Sequence, residues 1–249
     1  MKKNRVVALF LCAALLLSGF TNTMVKAAGA TGKQTTTAQK SKWPSGPSKS
    51  SLSSDSAIVM ELSTGTILYR KNIHKQHYPA SITKIMTAYL ACKYGKFDDT
   101  LTASHNAIYG IGQGSSIIGI KEGEQISFLD GLYGIMMESA NEVCMMVAEH
   151  IDGTVEKFVE RMNKQAQDWG CKDTHFNNPH GFHDVNHYTT PYDMSLIAYN
   201  AIKDENFSKI WGTVDHTIPA TNKSPQRFLH NKDKMLKPTS DYYYQYAIG

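Results

Sequence analysis

Ser81-Ile82-Thr83-Lys84 sets a serine and a lysine three positions apart. A serine hydroxyl is a weak nucleophile until a base removes its proton. Residues three apart on a helix share a face, so their side chains can meet. A lysine buried among apolar neighbours loses part of its preference for the charged form and can serve as that base. Pro79 just ahead places the serine in the first turn of a helix, where free backbone N–H groups and the positive dipole end favour developing negative charge. The chemistry on offer is nucleophilic attack by an activated serine. A Ser-x-x-Lys arises by chance about once in a chain of this size. Its weight comes from being the only one here and from opening an apolar helix straight after Tyr78-Pro79-Ala80.

Ser139-Ala140-Asn141 is the second constellation. It falls at a break between two apolar helical stretches, where its polar groups can project into a cleft. Asn141 can donate to a substrate amide while Ser139 relays a proton. Serine and asparagine are also ordinary helix caps. Ser104-His105-Asn106 repeats the pattern in a looser region. Ser139 is preferred because two flanking helices would hold it rigidly.

The elements that must position these groups follow from pattern. Ser56 to Leu62 and Thr66 to Arg70, separated by Ser63-Thr64-Gly65, predict a β-hairpin. A helix is expected from Ala80 to Leu90, with Ile82, Ile85, Met86 and Tyr89 as its apolar face. Lys96 to Gly123 reads as loop-rich. Helices are expected over Phe128–Glu138, Asn141–Ile151, Thr154–Trp169 and Pro191–Ile202, and strands over Thr213–Ile218 and Gln226–His230. A hairpin, a helical block and further strands predict an α/β fold with a mainly antiparallel sheet.

The amino terminus has the order of a secretory signal: Lys2, Lys3 and Arg5, an apolar run from Val6 to Phe20, then Val25-Lys26-Ala27 at the expected cleavage position. That run is about 15 residues, against the roughly 20 a membrane span needs. Residues 1–27 are read as the signal, 28–54 as a flexible Ser/Thr/Lys/Gly/Pro-rich tether with Trp43-Pro44 near its docking point, and 55–249 as the folded domain. The chain is expected to be exported across the bacterial cytoplasmic membrane, to an extracellular, periplasmic or wall-associated location. Its formal charge of +4 comes from the leader and tether. Removing their eight basic residues from 26 leaves 18 against 22 acidic ones, a net of −4, which excludes a nucleic-acid footprint.

Cys92, Cys144 and Cys171 read as buried free thiols. His175, His180, His183 and His187 have spacings that can suit a metal on a helix, but Pro179 and Gly181 interrupt any helix there. No metal and no cofactor is expected.

Taken together, Ser81-x-x-Lys84 and Ser139-x-Asn141 resemble the serine D-Ala-D-Ala carboxypeptidases, the low-molecular-weight penicillin-binding proteins of the peptidase S11 type. Ala57-Ile-Val-Met-Glu61 with Ser63-Thr-Gly65 is similar to the family's first hairpin. Asn178-Pro-His-Gly-Phe-His-Asp184, His187-Tyr-Thr-Thr190 and Tyr192-Asp-Met-Ser195 are similar to the stretch that follows its second motif. The likeness runs from about Trp43 to Gly249. It implies a β-lactamase/transpeptidase-like fold, a helical cluster on a five-stranded antiparallel sheet. It implies Ser81 as nucleophile, Lys84 as general base, Ser139 as proton shuttle, Asn141 as substrate-binding residue and the Ser81 N–H as half of an oxyanion hole. The implied substrate is a peptidoglycan stem peptide ending in D-Ala-D-Ala, with β-lactam antibiotics as covalent inhibitors and no metal.

The family's third motif, Lys-Thr-Gly or Lys-Ser-Gly on a strand lining the site, occurs nowhere in these 249 residues. The sheet is therefore expected to be incomplete at its carboxy-terminal side, the family's membrane-anchoring tail to be absent, and the chain to be a fragment. Residues 28–249 alone are expected to be poorly soluble and to release little D-alanine. Two other readings stay open: a non-catalytic binding remnant of the same fold, and a β-lactamase. Class A β-lactamases use a glutamate to activate the deacylating water. No glutamate lies between Glu160 and Glu205, so slow deacylation is expected.

Overall fold

The computed structural model describes residues 46–247. The predicted signal, Trp43-Pro44 and the tether up to residue 45 lie outside the described residues. Two residues near the tether's end, Leu52 and Ser54, offer their carbonyls to Lys71 Nζ at 2.9 and 2.6 Å.

The expected hairpin forms as β1 (Ala57–Met60) and β2 (Ile67–Lys71), antiparallel, with Ala57 opposite Lys71 and a register shift between Val59 and Met60. β1 stops two residues before the predicted Leu62. The Glu61 carboxylate accepts the amide hydrogens of Ser63 and Thr64, both at 2.8 Å, which commits Glu61 to the turn.

The helix expected from Ala80 has two parts, a 3-10 turn over Ala80–Thr83 and then α1 (Lys84–Tyr94). Pro79 and Ala80 supply no capping side chain, and the tighter i to i+3 turn takes up the start of the helix instead. α1 packs against the five helices α3 (Phe128–Glu138), α4 (Asn141–Asp152), α5 (Val155–Asp168), α6 (Pro191–Ala201) and α7 (Glu205–Trp211). A helix surrounded in this way is apolar all round rather than along one stripe. Met86, Ala88, Leu90 and Ala91 are accordingly buried, whereas Ile82, predicted to face the core, is half exposed. Met86 and Leu90 join Phe158, Met162, Phe176 and Ile197 in one apolar cluster, and Ala88 and Ala91 join Phe128, Leu132 and Val143 in another. Each large side chain so buried contributes about 1.5–3 kcal/mol.

α3 to α6 form within one or two residues of expectation. α7 was not expected; the Asp204 carboxylate caps it by accepting the Phe207 amide hydrogen at 2.9 Å. The stretch read as loop-rich holds β3 (Thr100–Thr102) and α2 (His105–Tyr109), and β3 pairs with β4 (Gln125–Ser127). Elements of three to five residues are too short to show a period. β5 (Asp215–Ile218) and β6 (Arg227–His230) pair with Asp215 opposite His230.

The fold is α/β, a helical cluster with antiparallel strands. Where an incomplete antiparallel sheet is expected, the described residues form three separate two-stranded antiparallel pairs. Among the described residues, no helix is long and apolar enough to cross a membrane. Cys92, Cys144 and Cys171 are free, and burial pushes all three thiols up to about 12, which keeps them protonated and unreactive at neutral pH.

Candidate active site

Ser81 lies in the 3-10 turn, where residues i and i+3 eclipse one another. This geometry stacks Lys84 against it, with Nζ 3.4 Å from Ser81 Oγ. The serine is exposed, and the lysine is 3% exposed. Burial holds the Lys84 ammonium below the ordinary lysine range, while Glu142 opposes that shift. Lys84 Nζ also donates to the His180 carbonyl at 2.6 Å.

Ser139 ends α3 in the left-handed conformation, φ +63°, and Ala140 starts α4. A non-glycine residue held there is strained by about 1–3 kcal/mol. The sharp reversal brings Ser139 Oγ to within 3.0 Å of Ser81 Oγ, to which it donates. Asn141 opens α4. Its amide Nδ2 donates to Ser115 Oγ at 2.9 Å, and its backbone N–H donates to the Ser116 carbonyl at 2.8 Å. Ser81, Lys84 and Ser139 thus gather at one place, while Asn141, two residues beyond Ser139, is buried against Ser115 and Ser116. The rival Ser104 is an ordinary cap of α2, its hydroxyl accepting the Ala107 amide hydrogen at 2.9 Å.

A cleft of about 270 Å³ runs past this group, lined by Ser81, Lys84, Ser139, Ile135, Asn231 and Lys232. A larger and more apolar groove of about 550 Å³, bordered by Ile58, Tyr78, Ile82, Ile85 and Met194, lies alongside and holds none of the four residues.

The loop from Asn178 to Gly181 closes the back of the site. Thr87 Oγ1 donates to the Pro179 carbonyl at 2.5 Å, and Asn178 Oδ1 accepts the Gly181 amide hydrogen at 2.7 Å. Gly181 adopts φ +87°, and a Cβ there would sit 1.8 Å from the Ala80 carbonyl oxygen, so only glycine fits. His187 Nδ1 accepts the Asn177 amide hydrogen at 2.9 Å, which leaves Nε2–H to donate to Thr83 Oγ1 at 2.7 Å. Burial, aided by the Lys84 charge, lowers His180 to about 3, and burial lowers His187 to about 4. The four histidines weighed as metal ligands have separate partners: His175 Nδ1 contacts the Asn186 carbonyl, His180 Nδ1 accepts the Phe182 amide hydrogen, and His183 stacks edge-on against Tyr78.

Sequence reasoning missed four participants: the His180 carbonyl, Ser115, Asn231 and Lys232. A backbone carbonyl carries no residue signal. Ser115 and Lys232 gain meaning only from what they face.

The family model described as D-alanyl-D-alanine carboxypeptidase matches residues 40–242. D-alanyl-D-alanine carboxypeptidase DacF of Bacillus subtilis (strain 168) is 37% identical over 188 residues, 73% of this chain and 47% of that protein. DacD of Escherichia coli (strain K12) is 32% identical over 173 residues, 65% of this chain and 44% of that protein. The chain spans about half or less of the length of these curated relatives. Among solved structures, penicillin binding protein 5 of Haemophilus influenzae superposes with a TM-score of 0.65 at 34% identity, covering 73% of this chain and 53% of that one. With the site geometry above, these matches assign the chain to the D-alanyl-D-alanine carboxypeptidase family, peptidase S11.

Proposed function

We propose that this chain carries the acylating half of a serine D-Ala-D-Ala carboxypeptidase, with Ser81 as nucleophile. The observation that carries the reading is Ser81 Oγ held between Lys84 Nζ at 3.4 Å and Ser139 Oγ at 3.0 Å. The His180 carbonyl takes one N–H of a neutral Lys84 amine, leaving the lone pair to face Ser81. Lys84 takes the Ser81 proton as Oγ bonds to the carbonyl carbon of the penultimate D-alanine. The peptide C–N bond then breaks. Ser139 passes its proton to the leaving amine and takes the one held by Lys84 in its place, and terminal D-alanine departs. Water then hydrolyses the acyl ester, its hydroxyl going to the acyl carbon and its other proton to Ser81 Oγ. Asn141 orients the substrate amide, and the Ser81 N–H in the first helical turn faces the developing oxyanion.

Peptidoglycan stem peptides are the substrates in this reading, β-lactams are covalent inhibitors, and neither metal nor cofactor takes part. Residues 1–27 act as an export signal and 28–54 as a tether, which delivers the domain to the wall side of the membrane. The absence of glutamate between Glu160 and Glu205 supports a long-lived penicillin adduct over β-lactam hydrolysis. The test is labelling of the protein that carries this chain with a fluorescent penicillin. A stable adduct on the Ser81 peptide, lost in Ser81→Ala, is expected. Label that survives the substitution removes the assignment.

A further inference from the structure

Glu142, the residue after Asn141, is buried at the start of α4, 1% exposed, and does not line the cleft. Its Oε1 accepts the backbone N–H of Ile118 at 2.7 Å and of Gly119 at 3.2 Å. The carbonyls of the same two residues are taken by one arginine. Arg227 on β6 donates from Nε to the Ile118 carbonyl at 2.9 Å and from Nη2 to the Gly119 carbonyl at 3.0 Å. Arg227 is fixed in turn by Glu124, whose side chain is fully buried, through Nη1–Oε1 at 2.8 Å. Glu124 also accepts the hydroxyls of Thr221 at 2.7 Å and Ser224 at 3.1 Å. A buried glutamate and a guanidinium from separate elements therefore hold both faces of one peptide stretch. The guanidinium's charge-assisted bonds are about twice as strong as neutral ones. Two and three residues upstream of Ile118 lie Ser116 and Ser115, which accept the backbone and side-chain N–H groups of Asn141.

We infer that Glu142 and Arg227 form a clamp on Ile118-Gly119 whose purpose is to hold the Ser115-Ser116 segment against Asn141, making both of them positioning residues for the Asn141 amide. Glu142 reaches the segment from the helix that carries Asn141, and Arg227 reaches it from the strand pair on the other side. In the proposed reaction Asn141 presents its amide to the substrate, and among the described residues Ser115 Oγ is the side-chain partner that orients it. A loop free to shift by an ångström would let that amide rotate, an error of a size that costs about 10²-fold in a positioned reaction.

This inference rests on the proposed acylation at Ser81, and the test separates the two. Arg227→Lys and Glu142→Gln are made in the protein that carries this chain, alone and combined with Asn141→Ala. Each is expected to slow penicillin acylation per folded molecule between about 10- and 100-fold. In the Asn141→Ala background each is expected to add less than about twofold, because residues acting through one partner are not additive. Effects that multiply in full in that background overturn the positioning role, as does an unchanged rate in both single variants. Amide exchange at Ile118 and Gly119 is read in parallel and does not depend on activity. Both amides are expected to lose protection in Glu142→Gln, and unchanged protection overturns the clamp. If the wild-type protein takes no label, the acylation reading falls and the exchange result alone decides whether the clamp stands.

Discussion

The His180 carbonyl is closer to Lys84 Nζ than the Ser81 hydroxyl is, at 2.6 Å against 3.4 Å. The two residues are 96 positions apart, and their contact aims the one buried amine of the site. A free lysine side chain samples many rotamers. This one is pinned by a backbone acceptor that cannot titrate, and burial weakens its preference for the charged form.

That arrangement predicts how the base behaves. Only neutral Lys84 can accept a proton, so acylation is expected to rise with pH through the Lys84 pKa and level off above it. Because burial lowers that pKa, the plateau should begin at a lower pH than for a lysine in water. Lys84→Arg keeps the charge but stays protonated, and it should lose at least about 10²-fold in acylation at every pH. Near-normal labelling of Lys84→Arg would show that another group takes the proton.

Ser139 and Ser104 separate a site residue from a look-alike. Ser139→Ala removes the hydroxyl 3.0 Å from Ser81 and is expected to slow acylation about 10²-fold or more. Ser104→Ala removes a cap of α2, costing about 1 kcal/mol of stability with no change in acylation per folded molecule. The two variants are compared by label uptake and thermal melting. Equal acylation would dissolve the distinction.

The buried histidines should make the fold acid-sensitive. His180 and His187 are lowered to about 3 and 4, from the ordinary histidine value of about 6.5. Below pH 6.5 the unfolded chain takes up protons that the folded chain refuses. Stability is therefore complete above about 6.5 and is lost as pH falls toward 4, by up to about 1.4 kcal/mol per pH unit for each histidine. His187→Gln should remove roughly half of that slope in urea melts between pH 6.5 and 4.5. A slope unchanged by the substitution would contradict the assignment.

Local signals carried much of this protein. Four helices were legible in the sequence because each spans eleven residues or more, enough for apolar periodicity and end signals. The hairpin was legible from Ser63-Thr64-Gly65, and the pairing of Ser81 with Lys84 from a spacing that any helical turn brings together. Short elements such as β3, α2 and β4 were not, since their strength comes from partners distant in the chain. The break at Ser139 could be read locally, but its left-handed turn and its 3.0 Å approach to Ser81 depend on how α3 and α4 pack on α1. The same holds for the His180 carbonyl, for Gly181 against Ala80, and for Glu142 and Arg227 on opposite sides of Ile118-Gly119. The sequence by itself determined which groups could do chemistry, because side-chain type and near-neighbour spacing are local. Only the tertiary structure decided which of them meet, because contacts across 58 to 109 residues are set by packing and leave no periodic trace along the chain.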